Sequence, residues 1–561
     1  MYLNTILYIF SFFFIFFSIL GYGLILSHTI NINNRRSISF GIFGLLGVFL
    51  YTLISYFTHL FFAHNLIHNL IVNLIGIILF LYFYIKNFFF YKKEFLKLLI
   101  LILFFLPGLF LSKNNEDFPY YHLPYMMNLV EHKLQFGIAH FNIAFRTPSS
   151  LFYTQSLFYL PVVKQYLFHS LSLIILIFSN LFLIDNYLFK KKNSNFLIIL
   201  SSLIFVFINL VFWRLAEHGT DKAGQIIVFV MIILLLDCFN NKKFIIEKIK
   251  ITIVLLIYLL SVKAYFASYA LLLPLILFII LKSKNFLKII CDLKFICIII
   301  LYLLMFLFIN FTNSGCLIYP LKFSCIETMI WSVTKASVED YSQWYELWSK
   351  AGATPNSQVS NPEEYLKSFN WVSNWIKNYF YTKITDALAI IIAICSTFFL
   401  FIKNNLSQNK KNNKYFFLYS FIIFLFLIWF NKHPDLRYGG YVLLALLFFI
   451  PLSSYLSVYI KNKNNFIILI TLFIIATYSS RNIFRIYNEF NSSRPDMNRY
   501  KSFPFFHIEE VSYNIIYLKN NIKIFITNNN KMCWITPSPC VSEKINVDLI
   551  NSYNFFYTLN K

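Results

Sequence analysis

A chain of 561 residues that is 58% hydrophobic and only 13% charged lies outside the range of soluble domains, which carry about 25% charged residues. Its formal net charge of +24 does not point to nucleic acid, because the basic residues sit in short clusters between apolar runs, the topology pattern of a membrane protein. The surplus of Phe (69) and Tyr (38), alongside much Ile, Asn and Lys, fits codon bias and carries little functional weight.

Apolar stretches of roughly spanning length lie near residues 4–28, 40–62, 68–86, 96–112, 166–186, 196–213, 224–239, 250–262, 265–282, 289–311, 385–403, 414–431, 439–460 and 465–480. The first is too long for a signal h-region and no small-residue cleavage site follows it, so it reads as a retained helix. The expected fold is an all-α polytopic membrane protein of about 14 transmembrane helices. Residues 1–480 would form the transmembrane domain, with exterior loops 113–165 and 312–384 bearing interfacial helices, and 481–561 a small exterior C-terminal segment.

Arg35-Arg36, Lys92-Lys93, Lys190-Lys191-Lys192, Lys242-Lys243, Lys282 with Lys284, Lys410-Lys411 and Lys461 with Lys463 fall in alternate connections, which are therefore cytoplasmic. The outward side then holds 113–165, 214–223, the turn Ser261-Val262-Lys263, 312–384, 432–438 and the tail from about 481.

The first outward loop opens with Glu116-Asp117-Phe118-Pro119-Tyr120-Tyr121-His122-Leu123-Pro124. A carboxylate at the membrane boundary can accept a proton from an incoming hydroxyl or hold a divalent cation; the plainer alternative for Asp117 is a solvated helix cap. Tyr125 to Phe136 has apolar residues at helical spacing, which predicts a helix lying on the membrane surface with one face in lipid. Two spans later comes Glu217-His218-Gly219-Thr220-Asp221-Lys222. Glu217 and Asp221 share a helix face at i, i+4, while Gly219-Thr220 argues equally for a turn. Either geometry suits Mg²⁺ or Mn²⁺, with His218 assisting, or a surface ion-pair network with Arg214 and Lys222.

These motifs resemble the polyprenyl-phosphate-dependent type-C glycosyltransferases, which include the protein O-mannosyltransferases and lipid A aminoarabinose transferases. The resemblance covers the order of elements from about residue 96 to 311, with more spans before the first loop than the family pattern has. It implies that Asp117, with Glu116 beside it, is the catalytic base or acceptor-positioning residue, and that Glu217 and Asp221 form the second acidic motif. It also implies that Lys263, which interrupts an apolar stretch at an outward turn, holds the donor phosphate; snorkelling is the alternative. In His433-Pro434-Asp435-Leu436-Arg437-Tyr438-Gly439-Gly440, Arg437 is set for a bidentate phosphate contact, and related glycosyltransferases carry similar His-Pro and Arg-Tyr patterns. Tyr121, His122 and Trp344 are the expected acceptor or sugar contacts.

Residues 312–384 carry Trp331, Trp344, Trp348, Trp371 and Trp375 among acids, a composition that suits sugars; Trp371 and Trp375 read rather as an interfacial belt. Four cysteines form two close outward pairs, Cys316 with Cys325 and Cys533 with Cys540, which an oxidising exterior allows to be disulfides.

Two classes of function follow. One is a transferase in a bacterial inner membrane, its active site facing the periplasm. It would move a sugar from a polyprenyl-phosphate donor, held among membrane lipid, to an extracytoplasmic acceptor with inversion. The other is a flippase of lipid-linked saccharides, which would place ionisable residues within its spans. An O-antigen polymerase or ligase shares the many spans and the basic residues near Arg437, but the acidic motifs count against it.

Overall fold

The computed structural model describes residues 2–32, 39–112, 115–189, 194–215, 219–240, 244–283, 286–353, 359–402, 415–459, 464–491, 500–517, 523–528 and 531–541. Among the described residues, nine helices are long and apolar enough to cross a membrane, and three shorter apolar helices, Asn195–Val211, Phe416–Lys432 and Gly440–Leu456, pack among them. Helices Phe88–Phe105 and Ile245–Val262 are also apolar but carry charge clusters in their first halves, and among the described residues each apolar stretch seen in the sequence is mainly helical. The chain is a multi-pass, helical membrane protein.

Helix order follows hydropathy. The most apolar stretch of Gln165–Leu188 is buried at every residue, whereas only about a third of the residues in the corresponding stretches of Leu66–Lys86, Leu293–Ser314 and Val372–Phe401 are buried. Lipid takes the place of solvent on those faces. Some of the polar side chains inside the bundle pair across helices: the Asn180 and Asn209 amides exchange hydrogen bonds of 2.9 Å each, and the Tyr51 hydroxyl donates to Asn73 at 3.0 Å.

Charges collect at the two ends. Helix Asp221–Asn240 has 20 residues and so runs about 30 Å. Asp221 at its start joins the cluster described below. Asp237 near its end pairs with Lys248 at 2.8 Å, in a region that also holds the Lys250–Asp292 pair. The chain's polar elements cap the Asp221 end: short helices between 118 and 156, helix Lys335–Lys350, and a three-stranded sheet.

Four expectations change on contact with the structure. The helix at Leu123–Glu131 does not lie in lipid; it is buried on every face. The connection after helix Phe40–His59 covers it, with the His64 N–H donating to the Leu129 carbonyl at 2.9 Å, and so does the C-terminal tail, with the Ser538 N–H donating to Glu131 at 2.8 Å. Trp371 and Trp375 are no belt: they are 0% and 5% exposed. The last long helix continues past 480 to Asn491, because Arg485 and Glu489 pair at i, i+4 where the apolar run has ended. Finally, among the described residues beyond Asn491 the tail holds strands, an element that the all-α expectation does not include. Strands Tyr513–Tyr517, Lys523–Thr527 and Cys540–Val541 form one small sheet, the first two antiparallel and the last parallel to the second.

Disulfides join Cys316 to Cys325 and Cys533 to Cys540. Closing loops this short contributes about 2–3 kcal/mol in the chain-entropy account. Mass spectrometry of non-reduced peptides from native membranes is expected to recover both links; free thiols at all four positions would remove the staples from these loops. The second loop braces the site, since the Trp534 N–H donates to the Pro119 carbonyl at 3.1 Å.

Candidate functional site

Four side chains from four elements meet at one end of the bundle. Arg437 is the hub: its Nη2 donates to Asp117 Oδ2 at 2.8 Å and its Nε to Asp221 Oδ2 at 2.7 Å. Lys263 Nζ donates to the other oxygen, Asp221 Oδ1. The cluster is open on one side, for the Arg437 and Lys263 side chains are 42% and 23% exposed while Asp221 is 7% exposed. Asp221, and then Asp117, hold the Arg437 guanidinium above its ordinary pKa, so it stays a cation at any physiological pH.

Local sequence fixes each member. Asp117 precedes a π-helical turn, Phe118–His122, that Pro119 helps to start. Asp221 opens a long helix, where the dipole favours a carboxylate. Lys263 stands in extended conformation where helix Ile245–Val262 stops, and the Ser149 hydroxyl donates to the preceding carbonyl of Val262 at 2.7 Å. Arg437 sits on a single 3₁₀ turn, Leu436–Tyr438, capped by Asp435.

That turn is clamped from several sides. Asp435 Oδ1 accepts from the Tyr379 hydroxyl at 2.6 Å and from the Arg437 N–H at 2.9 Å. The indole of Trp375 donates to the Pro434 carbonyl and that of Trp429 to the Asp435 carbonyl, both at 2.9 Å. Gln225, one helical turn beyond Asp221, donates to the carbonyls of Leu436 and Arg437 at 3.2 and 3.3 Å. Gly439 takes φ +88°, and a Cβ there would lie 2.6 Å from the Tyr265 ring. Gly439→Ala is therefore expected to lose about 1–2 kcal/mol in the backbone alone and to displace Arg437. A lowered unfolding midpoint together with weaker phosphate-ligand binding would register both effects.

Aromatic rings pack against the two cations. Lys263 Nζ lies 4.8 Å from the Tyr438 ring centroid and the Arg437 guanidinium 6.0 Å from that of Trp348. Behind Asp117, His122 is 4% exposed, with its ring 4.3 Å from that of Tyr121 and 4.9 Å from that of Phe152. Burial pushes the His122 imidazole down to about 4, so it is neutral at pH 7. Gly219, at φ +60°, makes room for it: a Cβ would sit 2.6 Å from His122 Cε1.

Asp117, Asp221, Lys263 and Arg437 thus come together. Glu116 is exposed beside them, without an ion pair among the described residues. Tyr121 and His122 form the wall behind Asp117, and Trp344 stands further out, 53% exposed. Glu217 and His218 lie outside the described residues. Both Asp221 oxygens are taken by cations, and among the described residues no group of three or more His, Cys, Asp or Glu is arranged to hold a metal. Sequence reading passed over Gln225 and Tyr379, quoted Asp435 and Tyr438 only as neighbours of Arg437, and grouped Trp348 with the sugar-suited tryptophans without placing it beside the cations. Two of them left a signal: Asp435 stands two residues before Arg437, the spacing of an Asx turn, and Gln225 stands four after Asp221 on one face of an apolar helix.

The profile of the family described as Domain of unknown function (DUF8201) matches residues 6–444, and the chain belongs to that family. No curated protein and no solved structure matches it.

Proposed function

We propose that this member of the DUF8201 family is an integral membrane glycosyltransferase of type-C architecture with about 14 spans. It would transfer a sugar from a polyprenyl-phosphate donor to an acceptor on the periplasmic side of a bacterial inner membrane. The observation that carries this reading is Arg437 bridging Asp117 and Asp221, with Lys263 on the same Asp221, at a solvent-open mouth of an apolar bundle. Two cations side by side suit a phosphate leaving group, and a carboxylate touching one of them suits a base for the attacking hydroxyl. The two disulfides at that end of the bundle fit an oxidising compartment.

The chemistry follows from the pairing. Asp221 keeps Lys263 and Arg437 in register for a phosphate. A donor phosphate reaching Arg437 Nη2 competes with Asp117 for it and releases the Asp117 carboxylate as the donor seats. The freed carboxylate takes the acceptor hydroxyl's proton while the oxygen attacks the anomeric carbon. The bond to the polyprenyl phosphate breaks, its charge is met by Lys263 and Arg437, and the single displacement inverts the anomer. No step requires Mg²⁺ or Mn²⁺ at Asp221, whose oxygens are already held by Lys263 and Arg437. The grouping of charges at the helix ends favours this reading over a flippase, which needs them within its spans.

The test is transfer by the purified chain in nanodiscs, with radiolabelled polyprenyl-phosphate sugars and an envelope extract as acceptor. Label is expected to leave the lipid phase, and Lys263→Ala is expected to raise the donor KM more than it lowers kcat. Retention of every donor sugar on its lipid, across a panel of common hexose, pentose and aminosugar donors, would sink the proposal.

A further inference from the structure

We propose that the groove between helix Lys335–Lys350 and the short helix Pro362–Leu366 is a subsite for a neutral saccharide chain. Its role as the acceptor's subsite rests on the transferase reading, whereas its affinity for a saccharide does not. The groove holds about 610 Å³ and is lined by Asp340, Gln343, Trp344, Glu363 and Lys367 together with Leu347 and Leu366. That volume lies within the ordinary range of small-ligand sites.

The indole is the first argument. Helix Lys335–Lys350 buries Val338 and Tyr341 on its inner face, yet Trp344 is 53% exposed. Its ring is held in place by Tyr341 stacked at 6.3 Å and by the edge of Tyr345 at 5.2 Å. A fixed, open aromatic face is what the CH face of a pyranose requires. The walls are the second argument. Asp340, Gln343, Glu363 and Lys367 are exposed, and among the described residues their side chains make no hydrogen bond or ion pair. Carboxylates and an amide accept from sugar hydroxyls without needing a charged partner. Two acids against one lysine repel a phosphate headgroup, so a neutral glycan fits better than anionic lipid.

The third argument is continuity with the ion cluster. The Tyr345 ring lies 6.2 Å from that of Tyr438, and Tyr438 lies under Lys263. Packed rings thus connect the wall that carries Trp344 to the cations, although Tyr438 itself is buried. The groove and the ion cluster are built on one rigid aromatic support, so a chain anchored in the groove lies on the same side as the site.

The experiment uses the full chain in nanodiscs on an array of neutral oligosaccharides of gluco-, manno-, galacto- and N-acetylglucosamine type, with heparin and hexalysine as controls. At least one neutral oligosaccharide is expected to bind. Trp344→Ala should weaken that binding about tenfold, Trp344→Phe should retain most of it, and Glu363→Gln with Asp340→Asn should weaken it severalfold. Glu510→Gln, on the exposed tail away from both the groove and the ion cluster, should leave it unchanged. Absence of binding to every neutral oligosaccharide, equal binding by Trp344→Ala, or binding of hexalysine alone would each overturn the assignment. The two readings fail separately: without transferase activity the array still reports the groove, and without the groove the chain still releases donor sugar to water or a small alcohol.

Discussion

Asp117→Asn is expected to abolish sugar transfer while leaving the fold intact. Asp117 makes one strong contact, Oδ2 to Arg437 Nη2 at 2.8 Å, and its side chain is 31% exposed. The asparagine oxygen can accept the same hydrogen bond, so the guanidinium keeps its place. A half-open pair contributes at most about 1 kcal/mol to stability, and the unfolding midpoint should move by less than about 2 °C. What disappears is the carboxylate's basicity, without which it cannot take the acceptor's proton, and loss of a general base lowers kcat by about 10²- to 10⁴-fold. Glu116→Gln is the matched control, since Glu116 is exposed beside Asp117 and joins no ion pair among the described residues. Transfer by Asp117→Asn within threefold of the parent chain, measured at saturating donor, would remove Asp117 from the base's role.

How much of this site was legible in the sequence depends on what kind of signal each residue leaves. Asp117, Lys263 and Arg437 stand where apolar runs stop, and an ionisable residue at such a boundary is visible without any structure. Their mutual contacts are not visible, because Arg437 and Asp117 are 320 positions apart and only the packing of the bundle sets them side by side. Asp221 was seen as half of an acidic pair at i, i+4, whereas in the fold its two oxygens face Lys263 and Arg437. The helix content was legible for the same reason as the boundaries: hydropathy over a spanning length leaves little else. The tryptophans were not. Trp371 and Trp375 flank an apolar run as belt residues do, and nothing local records that Trp375 donates to the Pro434 carbonyl. The tail's sheet rests on strands of five, five and two residues, too short for alternation to stand out from the polar segment around them.

Asp221→Asn is expected to have the largest combined effect on stability and donor affinity. Asp221 is the least exposed member of the cluster, at 7%, and it alone touches both cations. Removing its charge leaves Lys263 and Arg437 adjacent with only Asp117 to balance them. Breaking a fully buried pair costs about 3–5 kcal/mol; since both cations reach solvent, about 2–3 kcal/mol is the appropriate expectation here. The sign of the effect on donor affinity separates two roles. If net charge alone governed phosphate binding, the variant, one unit more positive, would bind a polyprenyl-phosphate analogue more tightly. If Asp221 positions the cations, the splayed pair loses the geometry that holds a phosphate between them, and affinity falls at least about tenfold. The second outcome is expected, because Arg437 uses Nε on Asp221 to aim Nη2 toward Asp117. Adding Lys263→Met to Asp221→Asn relieves the repulsion, so it should recover part of the stability but none of the affinity. Tighter analogue binding by Asp221→Asn would make Asp221 a competitor for the phosphate site, and the two cations would then have to be positioned by the clamp around Asp435 alone.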